Sequence, residues 1–367
     1  SFNGIPFYSE AAHNSMYTHD VSGQTNTAQY NTAYGFAALD AITTGDQNTV
    51  IGYQAGSAIN SASGSVAIGY QALFLEDSQG YNTAVGFRAL KNQNSDAVTY
   101  NVGVGYASQE SVISGRYNVS IGGEALYTNQ DGNNNTAVGF RALKSFEANA
   151  DGHGKNVALG ANALENSSTG TENTALGTEA MGSGDVTGDL NTAVGFASGS
   201  TLTSGTRNTL IGAYSGDAIT SSSYNVAIGY EALSSEDTGN ENVAIGYRAL
   251  KDLDAGANAA NVAVGYLCGE NLTGGVQNTL IGSYAGDALT TGSNNVAVGY
   301  HALSAEDGNG GNVAVGKFAL LLQDAGAEAY NVAIGFEAGK TITTGVQNTI
   351  LGGLAGDALT TGSDNIA

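Results

Sequence analysis

The chain has 367 residues with 54 Gly, one Pro and one Cys, and its 11 basic residues stand against 33 acidic ones, a net charge of −22. Nucleic acid is excluded as a partner, because affinity for phosphates rests on Lys and Arg displacing counterions, and anionic membranes are disfavoured for the same reason. A single cysteine excludes an intrachain disulfide framework, and no apolar run approaches the length of a membrane span, so membrane insertion of this segment is not expected.

Residues 1–30 carry no repeat and hold Pro6, His13, Met16 and His19. A solenoid needs an atypical cap at its open end, so this stretch reads as an N-terminal cap, or else as a joint to a preceding domain. His13 and His19 read as an ordinary solvated pair, a shared metal being the alternative. The four histidines and one cysteine do not give a zinc site of familiar spacing.

From Asn31 onward one phrase, Asn-(Thr/Val)-Ala-(Val/Ile)-Gly, returns nineteen times, as in Asn225-Val226-Ala227-Ile228-Gly229. Thirteen of the eighteen steps between its closing glycines are 17 residues, and the longer steps place their extra residues between phrases. A second period lies on top: Gly195 to Gly265 and Gly265 to Gly335 each run 17, 17, 17, 19, a unit of 70 residues. Self-similarity at such a period marks stacked coils. Counting from the Asn as position 0, the phrase puts Val, Ile and Tyr at odd positions and Ala and Gly at even ones, as in Asn242 to Leu250. Successive side chains of a strand point to opposite faces, so one face is bulky and the other nearly bare. Neither face is polar, as in strands covered on both sides. The expectation is that the bulky face fills the coil interior and the Ala/Gly face meets another chain, making a homo-oligomer. Helix fails on length, since Gly and Asn recur every few residues. The fold expected is all-β: a parallel β-roll, or β-solenoid, of about nineteen short coils over residues 31–367. At about 4.8 Å per coil it makes a rod roughly 90 Å long.

Gly-x-x-Asn precedes many phrases, as in Gly45 to Asn48 and Gly205 to Asn208. The glycine is expected to supply positive φ and the Asn to bond nearby backbone. Stacking then builds a structural ladder of position-0 asparagines, among them Asn208, Asn225, Asn242, Asn261, Asn278 and Asn295, interrupted only by Ser65. Cys268 stands where sibling repeats hold Ala232, Ala249 and Ala302, and reads as a small buried filler. Position 5 is aromatic in successive coils (Phe36, Tyr53, Tyr70, Phe87, Tyr106). Such rings either pack inside the coil or between chains, or present flat faces to sugar. Position 6 varies most, so Arg88, Arg141, Arg248 and His301 are the candidates for surface recognition.

Glu76-Asp77, Glu236-Asp237 and Glu306-Asp307 fall at matching places and read as solvated turns. Ca²⁺ at turns such as Asp307-Gly308-Asn309-Gly310 is the alternative, although a site needs six to eight oxygens and no EF-hand spacing is present. No cofactor is expected otherwise. No Gly-x-Ser-x-Gly elbow or phosphate-binding loop occurs, and the one irregular step offers Asp151 and His153 without a second carboxylate, so no enzyme is expected.

The phrase Asn82-Thr83-Ala84-Val85-Gly86-Phe87-Arg88-Ala89-Leu90 and the turn Thr290-Thr291-Gly292-Ser293-Asn294-Asn295 resemble the left-handed β-roll heads of trimeric autotransporter adhesins and the repeats of phage tail-fibre-like proteins. The likeness covers residues 31–367. It implies a parallel homotrimer and a non-enzymatic extracellular fibre segment, on a bacterial surface or a virion, that spaces or presents parts binding a glycan or protein receptor. A phage tail-fibre shaft with a receptor-binding role is one alternative, and an end-to-end filament is another. An ice-binding solenoid would call for a flat Thr-x-Thr array, whereas Thr-Thr-Gly occurs here in only some turns. The sequence begins at Ser1 and stops three residues into a further phrase, at Asn365-Ile366-Ala367, so the array is expected to continue beyond it as part of a longer protein.

Overall fold

A computed structural model describes residues 8–10, 14–18, 27–148, 154–256, 258–326 and 328–367, and no helix occurs among them. The chain forms two compact units, Ser1–Thr187 and Gly188–Ala367. In the first, β1 (Tyr8–Glu10) pairs antiparallel with β2 (Ser15–Tyr17), which runs parallel to β3 (Thr32–Tyr34). Parallel pairing then continues strand by strand, one per coil, to β11 (Thr174–Leu176). The second unit repeats the scheme from β12 (Thr192–Val194) to β21 (Thr349–Leu351). Each unit is thus a parallel β-solenoid.

Register follows the phrase. Val226, Ala227 and Ile228 pair with Val243, Ala244 and Ile245, and the longer steps keep the same match, as in Val157 opposite Thr136. Extra residues therefore sit in the connections, where a parallel ladder tolerates them.

The two faces of the strand are the reverse of the sequence expectation. Ala at position 2 points inward and is fully buried (Ala67, Ala84, Ala227, Ala244), while positions 1 and 3 are half-buried or exposed. The lumen of a 17-residue coil is narrow, and Leu at position 8 with an aliphatic residue at position 11, such as Leu250 and Leu253, already fills it. The strand wall facing them has room only for Ala. Four coils make the rule explicit: where position 2 is larger (Val50, Leu210, Leu280, Ile350), position 8 is Gly (Gly56, Gly216, Gly286, Gly356). A Cβ on Gly216 would lie 2.8 Å from Leu210 Cδ2. Interior volume is kept by exchanging one residue against the other, also between coils: Gly269 and Gly339 stand in coils whose position 2 is Ala, and a Cβ there would lie 2.7 Å from Leu280 Cδ1 and 3.1 Å from Ile350 Cδ1 of the next coil.

The corners also differ from expectation. Gly45 and Gly205 do not use positive φ; they are needed for space, because a Cβ would lie 2.2 Å from the carbonyl oxygens of Ala62 and Ser222 respectively. The left-handed conformation falls instead on ordinary residues at positions 6, 8 and 16, as in Arg248 (φ 54°), Leu250 (φ 50°) and Glu241 (φ 64°). That region costs an L-residue energy. Here it turns the amides toward the adjacent coil: Arg248 N–H donates to Tyr230 O at 2.9 Å and Leu250 N–H to Cys268 O at 3.1 Å.

Candidate interaction face

Because the small residues went inside, positions 1, 3 and 5 form an outward column of Val, Thr, Ile and aromatic side chains along each unit. Ile51, Ile121, Ile211 and Ile281 at position 3 are exposed, and position 5 more so, with Phe36 at 76% and Tyr106 at 58%. The position-5 rings stack on one another outside the coil. In the first unit Phe36, Tyr53, Tyr70, Phe87 and Tyr106 form an unbroken pile with centroids 5.1 to 5.8 Å apart and planes within 12°. In the second, Tyr230, Tyr247 and Tyr266 stack at 5.6 and 5.2 Å with planes 13 to 14° apart, while Tyr214 and Tyr284, at position 6, meet the neighbouring tyrosine rings edge-on. Another column, Tyr81, Tyr100 and Tyr117, stacks just ahead of the phrase. The coil spacing sets these distances, so one choice of side chain repeated every coil builds a ring pile.

The position-6 cations are held by neighbours rather than free. Arg88, Arg141 and Arg248 each lie over the ring that precedes them, at 5.1, 4.9 and 5.2 Å. Arg248 Nε donates to Glu231 in the coil before at 2.7 Å and its other end approaches Glu270 in the coil after at 3.6 Å. Arg141 repeats this with Glu124 and Glu165. The Lys144 ammonium, and then the Arg141 guanidinium, hold Glu124 below its usual range against the effect of partial burial. His301 stacks on Tyr284 at 4.6 Å and bonds Ser304 Oγ, which donates to Asp287 at 2.7 Å. Exposed pairs of this kind add about 0–1 kcal/mol each, so their main effect is to fix side-chain geometry along the column.

The position-0 asparagines are all interior. Asn225 Oδ1 accepts the backbone N–H of Asn242 at 2.9 Å, and its Nδ2 donates to Gly239 O, at position 14 of its own coil, at 3.0 Å. Asn208, Asn261, Asn278 and Asn295 make the same two bonds. Asn242 Oδ1 likewise accepts from Asn261, while its Nδ2 has no partner. The ladder is thus side chain to backbone, with amide-to-amide contacts only at some rungs such as Asn208 to Asn191. Ser15 Oγ supplies the first rung by accepting Asn31 N–H at 3.0 Å.

Cys268 is fully buried, its thiol pushed up to about 12 by burial, with Sγ 3.2 Å from Leu280 O. Ser198 and Ser215 occupy the same slot and donate to the matching carbonyls of Leu210 and Ala227. The expectation of solvated acidic turns needs correction: Glu76, Glu236 and Glu306 are fully buried at position 11, where other coils place Ile42, Ile59 or Leu272, and only the adjacent aspartates are exposed. The signal available in the sequence was partial: the column holds aliphatic residues in many coils, but also Gln93, Asn129, Ser167 and Gln323. His13, His19, His153 and Asp151 lie outside the described residues. Among the described residues no helix is long and apolar enough to cross a membrane.

No protein-family model, no curated protein and no solved structure matches this chain.

Proposed function

We propose that the chain is a non-enzymatic, extracellular structural or adhesive fibre segment, a shaft or head on a bacterial surface or a virion tail fibre, in which three parallel copies pack through the outward column and present receptor-binding parts. The observation that carries this reading is the orientation of the strand: in most coils it turns Val, Thr or Ile at positions 1 and 3 outward and Ala at position 2 inward. Monomers rarely expose contiguous apolar patches beyond a few hundred Å², and a column repeated coil after coil along a unit exceeds that. Side-by-side packing of equal rods covers such a stripe along its length, which a small partner does not. Beside the covered column, the position-6 side chains Arg88, Arg141, Arg248 and His301 are the surface on which a glycan or protein receptor is expected.

The test is a charge placed in the column. Replacing Ile211, Ile228 and Ile245, which pair in register on the outer face, by Asp leaves the coil interior untouched. The wild-type chain is expected to elute as an oligomer and the triple variant as a monomer with an unchanged β-sheet circular dichroism spectrum. Equal elution of the two would overturn the reading.

A further inference from the structure

Position 11 of the coil interior is aliphatic in most of the second unit, as at Ile219, Leu253, Leu272 and Leu289, but is Glu at 236 and 306, which are 70 residues apart. Each buried Glu has an exposed Asp next to it, Asp237 or Asp307, and the following coil brings a second, Asp254 or Asp324. At both places one carboxylate oxygen from each of the three residues lies within 4.8 Å of the other two.

Glu306 uses one carboxylate oxygen in the fold, and Glu236 holds its second only by one long bond. Glu236 Oε1 accepts the N–H groups of Thr238 and Gly239, and Glu306 Oε1 accepts Asn309 N–H at 3.1 Å and Asn309 Nδ2 at 2.7 Å. The second oxygen is different. Glu236 Oε2 meets only the N–H of Ala255, at 3.4 Å, and Glu306 Oε2 is buried with no hydrogen-bond partner. Ala255 follows Asp254, the third residue of the triad. A buried carboxylate oxygen without a donor is costly, and two like charges beside it add to the cost. Among the described residues no Lys, Arg or His forms an ion pair with any of the six carboxylates.

The first unit supplies an internal contrast. Glu76 and Asp77 hold the same positions, but Asn94 stands where the third carboxylate would be, and both oxygens of Glu76 are taken, by Gln79 N–H at 3.0 Å and Asn82 Nδ2 at 3.1 Å. Where both oxygens are held by bonds of 3.0 to 3.1 Å, the third acid is absent.

We propose that each triad, Glu236 with Asp237 and Asp254, and Glu306 with Asp307 and Asp324, binds one Ca²⁺. Ca²⁺ takes oxygen ligands at about 2.3–2.6 Å, so two oxygens on opposite sides of one ion are roughly 4.8 Å apart, the limit within which these carboxylates fall. The exposed aspartates leave the remaining coordination to water and backbone carbonyls. Mg²⁺ is the poorer fit, since it holds its own water and demands a tight octahedron. This inference does not rest on the fibre reading.

The experiment is equilibrium dialysis of the whole purified chain against radioactive Ca²⁺ up to about 10 mM, a ceiling set by the millimolar affinities of weak extracellular sites. Two ions per chain are expected for the wild type, one for Asp324→Asn and none for Asp254→Asn/Asp324→Asn. Asn already stands at the equivalent Asn94, so the substitution fits the coil, and circular dichroism checks the fold. Equal Mg²⁺ should leave the occupancy unchanged. No saturable binding, an unchanged count in the double variant, or displacement by equal Mg²⁺ would overturn the assignment.

Discussion

Gly229 at position 4 has φ 139°, and a Cβ there would sit 2.2 Å from Gly246 O in the next coil. Gly256 has φ 67°, but a Cβ there would meet nothing within 4 Å. Gly229→Ala should therefore cost about 3 kcal/mol or more, from backbone strain and overpacking together, and Gly256→Ala about 1 kcal/mol, which urea titration of the two variants compares directly. Cys268 should resist thiol reagents in the folded chain at pH 8, and Cys268→Ser should lie within about 1 kcal/mol of wild type because Ser198 and Ser215 already fill that slot. Fast labelling of the native thiol would contradict its placement. Burial holds the Glu76 carboxyl protonated up to about 8, against an ordinary 4.5, with the Gln79 N–H opposing the shift, Asp77 adding to it and the Asn82 amide opposing it. Between those values the unfolded chain releases a proton that the folded chain keeps. Stability from this group is thus full below 4.5, falls as pH rises and is lost above 8, with a ceiling on the order of 5 kcal/mol. Glu76→Gln should raise the melting temperature at pH 9 and leave it unchanged at pH 4, and Gln93 shows that Gln fits the same position in the next coil. Glu147 and Asp217, also raised by burial, should preserve part of the slope. An equal shift at both pH values would contradict the buried acid.

The coil is the element, and its closure rests on one side chain. Asn225→Ala would leave Asn242 N–H and Gly239 O buried without partners, so it should cost about 2–4 kcal/mol, read as a lower urea midpoint, whereas Arg248→Ala on the outside should cost about 1 kcal/mol or less. Equal costs would mean that the ladder contributes nothing special. Strand, period, register and the asparagine column were all legible in the sequence, because a repeated phrase with fixed spacing has only one way to stack. Which face turns inward was not. Alternation of Val and Ile with Ala and Gly gives two faces without labelling them, and the choice is made by lumen volume, which Leu250 and Leu253 set from the opposite wall. The exchange of Leu210 against Gly216 was the available signal, since only an inward position 2 has to trade volume with position 8. Corner glycines misled for a related reason: Gly205 is small because Ser222 O is close, while Arg207 two residues on carries the positive φ.

At the scale of the molecule, a net charge of −22 opposes the apolar column. Side-by-side association brings like charges together, and salt screens them over a Debye length of about 10 Å at 0.1 M. Raising NaCl from about 0.05 to 0.5 M should therefore strengthen assembly, seen in sedimentation as less dissociation at low protein concentration; weakening by salt would point to an ion-paired interface instead. The central claim, that three copies cover the outward column, is tested most directly by the absolute mass of the chain in solution from light scattering at two protein concentrations. The account predicts three chains of 36.9 kDa, or 110.7 kDa, at both concentrations. A mass of 36.9 kDa would contradict it, as would a mass that grows with concentration, the mark of end-to-end stacking.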